Sequence, residues 1–125
     1  MVEQVSNNGG NDGTARDPEI DALIAEGVAA IEQRRREDAE AAFRRVIARE
    51  PANTEALRRL GVVVYMGGDF EEAVSLLELA ISLAPEDADA HNNLAAILID
   101  QDEVTDAETH LRRALELQPG DADIN

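Results

Sequence analysis

Three prolines, Pro51, Pro85 and Pro119, lie 34 residues apart, and stepping other positions by the same interval returns like residues. Gly27, Gly61 and Ala95 share a column, as do Ala39, Ala73 and Ala107. Phe43, Leu77 and Leu111 form another, Val46, Ala80 and Ala114 a fourth, and Ile47, Ile81 and Leu115 a fifth. These columns, in register over three copies, define an internal repeat, and that confines the chain to architectures in which each unit stacks on its neighbours. Within a unit the apolar residues recur at helical spacing. Leu76, Leu77, Ala80, Ile81 and Leu83-Ala84 make one stripe, and Leu94, Ala95, Ile97 and Leu98 another. One hairpin cannot bury both stripes alone, so the units must cover one another. Composition agrees with helices: 44% of the 125 residues are hydrophobic, only 2% are aromatic, and strands usually draw on aromatic and β-branched side chains.

Punctuation along the chain sets the boundaries. Residues 1–16 are rich in Gly and Asn and are expected to form a disordered tail, too poor in apolar surface to offset the entropy of ordering. Asp17-Pro18-Glu19 then supplies a capping acid, a proline suited to the first helical position and a further acid in the first turn. The spacing predicts helices over 18–33, 37–49, 54–67, 71–84, 88–101 and 105–117, with Asp69 and Glu72 as a capping pair.

The 34-residue unit resembles the tetratricopeptide repeat family, a helix-turn-helix repeat, over residues 20–121. The second copy carries the pattern most fully, with Leu57, Leu60-Gly61, Tyr65, Gly67-Gly68-Asp69-Phe70, Ala73, Leu77, Ala80 and Pro85. The first departs most, placing Glu26 and Arg34-Arg35-Arg36 at an apolar position and at the turn, and the third replaces the turn glycine with Asp102. The resemblance implies an all-α solenoid of three antiparallel helix pairs, 20–53, 54–87 and 88–121, in a right-handed superhelix with a concave face. Residues 17–125 then form the repeat domain, and 122–125 are the truncated start of a fourth unit or a C-terminal tail.

Charge and residue usage exclude whole classes of function. The net charge of −16, from 27 acids against 11 basic residues, repels phosphate backbones, so nucleic acid is not an expected partner. All 11 basic residues are Arg, a balance met in proteins of salt-loving organisms, although a GC-rich genome favours Arg as well. On the salt-loving reading, raising the salt should stabilise the fold by screening self-repulsion. With no Cys there is no thiolate chemistry, and with neither a leader pattern nor a long apolar run there is no expected membrane span, leaving a cytoplasmic location as the expectation. No cofactor, metal or catalytic residue is expected. His91 and His110 read as packed histidines, His91 sharing its column with Leu23 and Leu57, and the acid clusters Glu71-Glu72 and Glu86-Asp87-Asp89 as solvated surface.

The resemblance also implies where a partner would bind, since the first helix of each unit lines the concave face. In repeats two and three it points to Arg58, Arg59, Val62, Tyr65, Met66, Asn92, Asn93 and Ala96 as a groove for a peptide segment of a partner protein. Guanidiniums suit a carboxylate and Asn side chains suit a peptide backbone. Arg58 and Arg59 could equally pair with neighbouring acids such as Glu55. Some relatives clamp the acidic tails of heat-shock chaperones, but Val62 stands where that clamp needs Asn. The alternative function is self-assembly, because the sequence stops at Asn125 short of a further covering helix. Leu111, Ala114, Leu115 and Leu117 would then pair two copies as a homodimer.

Overall fold

A computed structural model describes residues 17–118. The expected tail at 1–16, the segment 122–125 and Pro119 of the proline column lie outside the described residues. Among the described residues there are six helices and no strand: α1 Pro18–Glu32, α2 Arg36–Arg49, α3 Thr54–Met66, α4 Phe70–Leu83, α5 Ala88–Asp100 and α6 Val104–Leu117. Every end lies within one residue of the position the spacing predicts.

Short polar side chains start four of these helices by accepting a backbone N–H that the helix itself cannot satisfy. Asp17 accepts from Glu19 at 2.8 Å, Asn53 from Ala56 at 2.9 Å, Asp69 from Glu72 at 3.0 Å and Asp87 from Ala90 at 3.2 Å. Helices α2 and α6 begin at Arg35 and Glu103 with no side-chain cap. Between the paired helices, one turn position has a left-handed backbone in all three repeats: Arg34 at φ 63°, Gly68 at φ 98° and Asp102 at φ 69°. Only the glycine adopts it without steric penalty.

Each pair, α1 with α2, α3 with α4 and α5 with α6, packs as a hairpin, and successive hairpins stack through α2 on α3 and α4 on α5. The result is an all-α repeat solenoid. The columns have a packing cause. A Cβ placed on Gly27 would sit 2.5 Å from the Phe43 ring, and one on Gly61 would sit 2.9 Å from Leu77 Cγ. A small residue is therefore needed where the two helices of a unit cross. Phe43 is fully buried together with Leu57, Leu60, Leu77 and Leu94.

Candidate functional site

Helices α3 and α5 touch directly, and the face they share carries four of the eight expected groove residues. Val62 and Tyr65 are three apart on α3, and Asn93, Ala96, Ile97 and Asp100 follow a helical stripe on α5. Together these six line a cavity of about 140 Å³. Its walls are largely aliphatic, and its polar groups come from Tyr65, Asn93 and Asp100. The Tyr65 hydroxyl donates to Asp100 Oδ2 at 2.6 Å, tying the two helices together across a separation of 35 residues. That bond to a carboxylate raises the Tyr65 pKa above its ordinary value, so the phenol remains a donor at neutral pH.

The structure brings Val62, Tyr65, Asn93 and Ala96 together and sends the other expected residues elsewhere. Arg58 Nε lies 3.3 Å from Asp87 Oδ2, and its side chain is only 17% exposed. The geometry is that of an ion pair without a hydrogen bond from Nε. Because Asp87 also caps α5, Arg58 braces the junction of repeats two and three. Arg59 donates to Glu55 at 3.0 Å, the pairing weighed against a binding role from the sequence. Asn92 is exposed but does not line the cavity. Met66, 56% exposed, belongs to a second and larger cavity of about 400 Å³, which it shares with Ile31, Arg34, Arg36 and Val63.

Ile97 and Val63 are among the lining residues that escaped the groove positions. They share one column, 34 apart, and each lies beside one cavity. That column was the available signal.

The expected self-association residues divide as well. Leu111 is 38% and Leu115 is 52% exposed, and Val104, seven residues before Leu111, is 53% exposed on the same stripe of α6. Leu117 is half-buried. Ala114 is buried, which corrects the expectation that it contributes surface: like its column partners Val46 and Ala80, it sits on the inward face of its helix. His91 is buried, as its column suggested. Its Nδ1 lies 3.1 Å from Nδ1 of His110, and its Nε2 lies 2.9 Å from the Pro85 carbonyl oxygen. Among the described residues no group of three or more His, Asp or Glu side chains is placed to hold a metal ion, and no helix is long and apolar enough to cross a membrane.

The tetratricopeptide repeat family pattern matches residues 24–88 and, in an overlapping second match, residues 64–125. The chain belongs to this family, whose members serve in general as protein-interaction modules. Among solved structures it is similar to an O-GlcNAc transferase variant of Thermobaculum terrenum, at 35% identity and a TM-score of 0.78 over 81% of this chain, which spans only 19% of the transferase chain. It is also similar to the Sgt2 repeat domain of Aspergillus fumigatus, at 24% identity and a TM-score of 0.79 over 86% of this chain and 71% of that one. The first repeat domain of Spaghetti (RPAP3), a structure with a bound HSP90 peptide, aligns at 19% identity and a TM-score of 0.78 over 83% and 82%. These last two likenesses show the fold alone. No curated protein matches the chain.

Proposed function

We propose that this protein holds an extended segment of a partner protein along the face shared by α3 and α5, with an apolar side chain of that segment seated against Val62, Ala96 and Ile97. The observation that carries the reading is the small aliphatic cavity bridging two repeats, with Asn93 half-buried in its wall. A side chain entering it gains apolar burial, and an Asn amide can both donate to and accept from a peptide backbone. The peptide-bound relative with the same fold supports this mode of binding. Selection from a randomised peptide library on the immobilised protein tests it. Peptides that bind the parent protein should lose at least tenfold in affinity, about 1.4 kcal/mol, against Val62→Glu with Ala96→Glu. Undiminished affinity, with the variant's helical melting curve intact, would place the site elsewhere.

Self-association is the second reading, and the exposed stripe of Val104, Leu111 and Leu115 on α6 favours it. Light scattering should then show mass rising with concentration towards about 100 μM, and Leu115→Glu should return it to that of one chain. A single-chain mass throughout removes this reading.

A further inference from the structure

We propose that the larger cavity, between repeats one and two, takes an apolar side chain of the bound segment that has a carboxylate beside it, and that Arg34 and Arg36 recognise the carboxylate. This rests on the groove reading above and names the chemistry that the groove selects.

Repeat one departs from the internal pattern at Glu26 and at the turn, and two residues of that turn region, Arg34 and Arg36, lie at this cavity. Position 34 is left-handed in every repeat, and where repeat two has Gly68 the first repeat holds an arginine at φ 63°. A β-carbon there is penalised by roughly 1 kcal/mol. Position 36 shares its column with Phe70 and Val104, so an apolar residue has been exchanged for a charged one. Departures from an otherwise consistent pattern concentrate at functional positions. The two arginines sit over an apolar lining of Ile31, Val63 and Met66. Arg36 also reaches across the repeat boundary: a Cβ on Gly67 would meet its Nη1 at 2.6 Å, so the glycine leaves room for the guanidinium.

The charge balance makes this pair unusual. Acids outnumber basic residues 27 to 11, and Arg35, Arg44, Arg49, Arg58, Arg59 and Arg113 each meet a carboxylate within 3.3 Å. Arg34 meets none among the described residues, and Arg36 has only Glu37, at 3.5 Å and without a hydrogen bond. Arg45 and Arg112 also lack such a pair, but Arg45 shares its cavity with Glu19 and Glu26, and Arg112 lines none of the three cavities described. Two guanidiniums beside an apolar cavity, in a chain with acid to spare, are matched to an anion brought from outside. The net charge of −16 disfavours a polyanion, whereas a single carboxylate gains the local contacts and meets long-range repulsion screened beyond about 10 Å at 0.1 M salt.

The same randomised-peptide selection tests this, read now for sequence. Selected peptides should be enriched in a large apolar residue adjacent to Asp or Glu. Their affinity should fall at least fivefold when that acid is replaced by its amide, and the fivefold preference should vanish in Arg34→Gln with Arg36→Gln. Binders without the acidic bias, or a preference that survives in the arginine variant, would overturn this inference and leave the groove reading standing. A selection that yields no binders removes both. Loss of binding in Val62→Glu with Ala96→Glu, with the acidic preference retained in the residual affinity, supports both.

Discussion

In repeat two Leu77 is fully buried against Gly61, whereas its counterpart Leu111 in repeat three, facing Ala95's column, is 38% exposed. Three other column pairs separate the same hairpins. Leu57 and Leu76 of repeat two become His91 and His110, and the left-handed glycine Gly68 becomes Asp102. Repeat two has a hairpin on each side, with α2 against α3 and α4 against α5, while no described helix packs on the outer side of α6. One pattern thus yields a core hairpin and a weaker end hairpin. What differs is the neighbour that completes each apolar face, together with three polar substitutions that the centre of the array does not carry.

The largest expected effect follows from burial. Leu77→Ala leaves a cavity beneath Gly61 and should destabilise by about 3–5 kcal/mol, whereas Leu111→Ala gives up contacts already shared with water and should cost about 1 kcal/mol or less. Chemical denaturation of both variants checks this. Equal losses would mean that α6 is covered in solution, which is what self-association through its exposed stripe requires.

The contrast between the repeats also shows how far the sequence could be read. The period placed all six helices and marked the columns of Gly27 and Phe43, because a helix pair with a fixed crossing repeats its small and large positions together. The resemblance to the family, not the period, pointed to Val62, Tyr65, Asn93 and Ala96, and these line one cavity because they lie on the facing sides of equivalent helices. Arg58 was not legible in this way. Its partner Asp87 lies 29 residues away at the start of another helix, and long flexible side chains settle their pairing by distances that periodicity does not encode. The cavity with Arg34 and Arg36 was hidden for a related reason, because its cations come from the turn and from the start of α2, outside the helices that line the groove.

An intermediate effect is expected from the histidine pair. Nε2–H of His91 donates to the Pro85 carbonyl, so the lone pair of neutral His91 is on Nδ1, where it accepts from Nδ1–H of His110. Burial and then the neighbouring His91 lower the His110 pKa from its ordinary value of 6.5, while Asp106 on its own helix and Glu78 on α4 oppose the shift. A folded-state pKa below the unfolded one means that the unfolded chain binds more protons as pH falls below 6.5, so stability declines over that range. The melting temperature should fall by a few degrees from pH 7.5 to 5.5. It should stay level in His91→Leu with His110→Leu, which restores the residues of repeat two. An unchanged slope in the double variant would show that other groups set the pH response.

The smallest effect concerns the turns, and it can be tested in both directions. Asp102 at φ 69° and Gly68 at φ 98° occupy the same column in the same left-handed region, where an L side chain brings Cβ against its own backbone. Asp tolerates that region better than most residues, so the penalty lies at the low end of roughly 1–2 kcal/mol, and part of the gain from glycine is returned as unfolded-chain entropy. Asp102→Gly should therefore stabilise by about 0.5 kcal/mol. Nothing lies within 4 Å of a Cβ placed on Gly68, so Gly68→Ala meets no neighbour, and its expected loss of about 1 kcal/mol comes from the backbone alone. Denaturation midpoints of the two variants should move in opposite directions. If Asp102→Gly instead destabilises, the aspartate contributes something at that turn that outweighs its backbone strain, and the two repeats differ there by more than the fit of one residue to one dihedral angle.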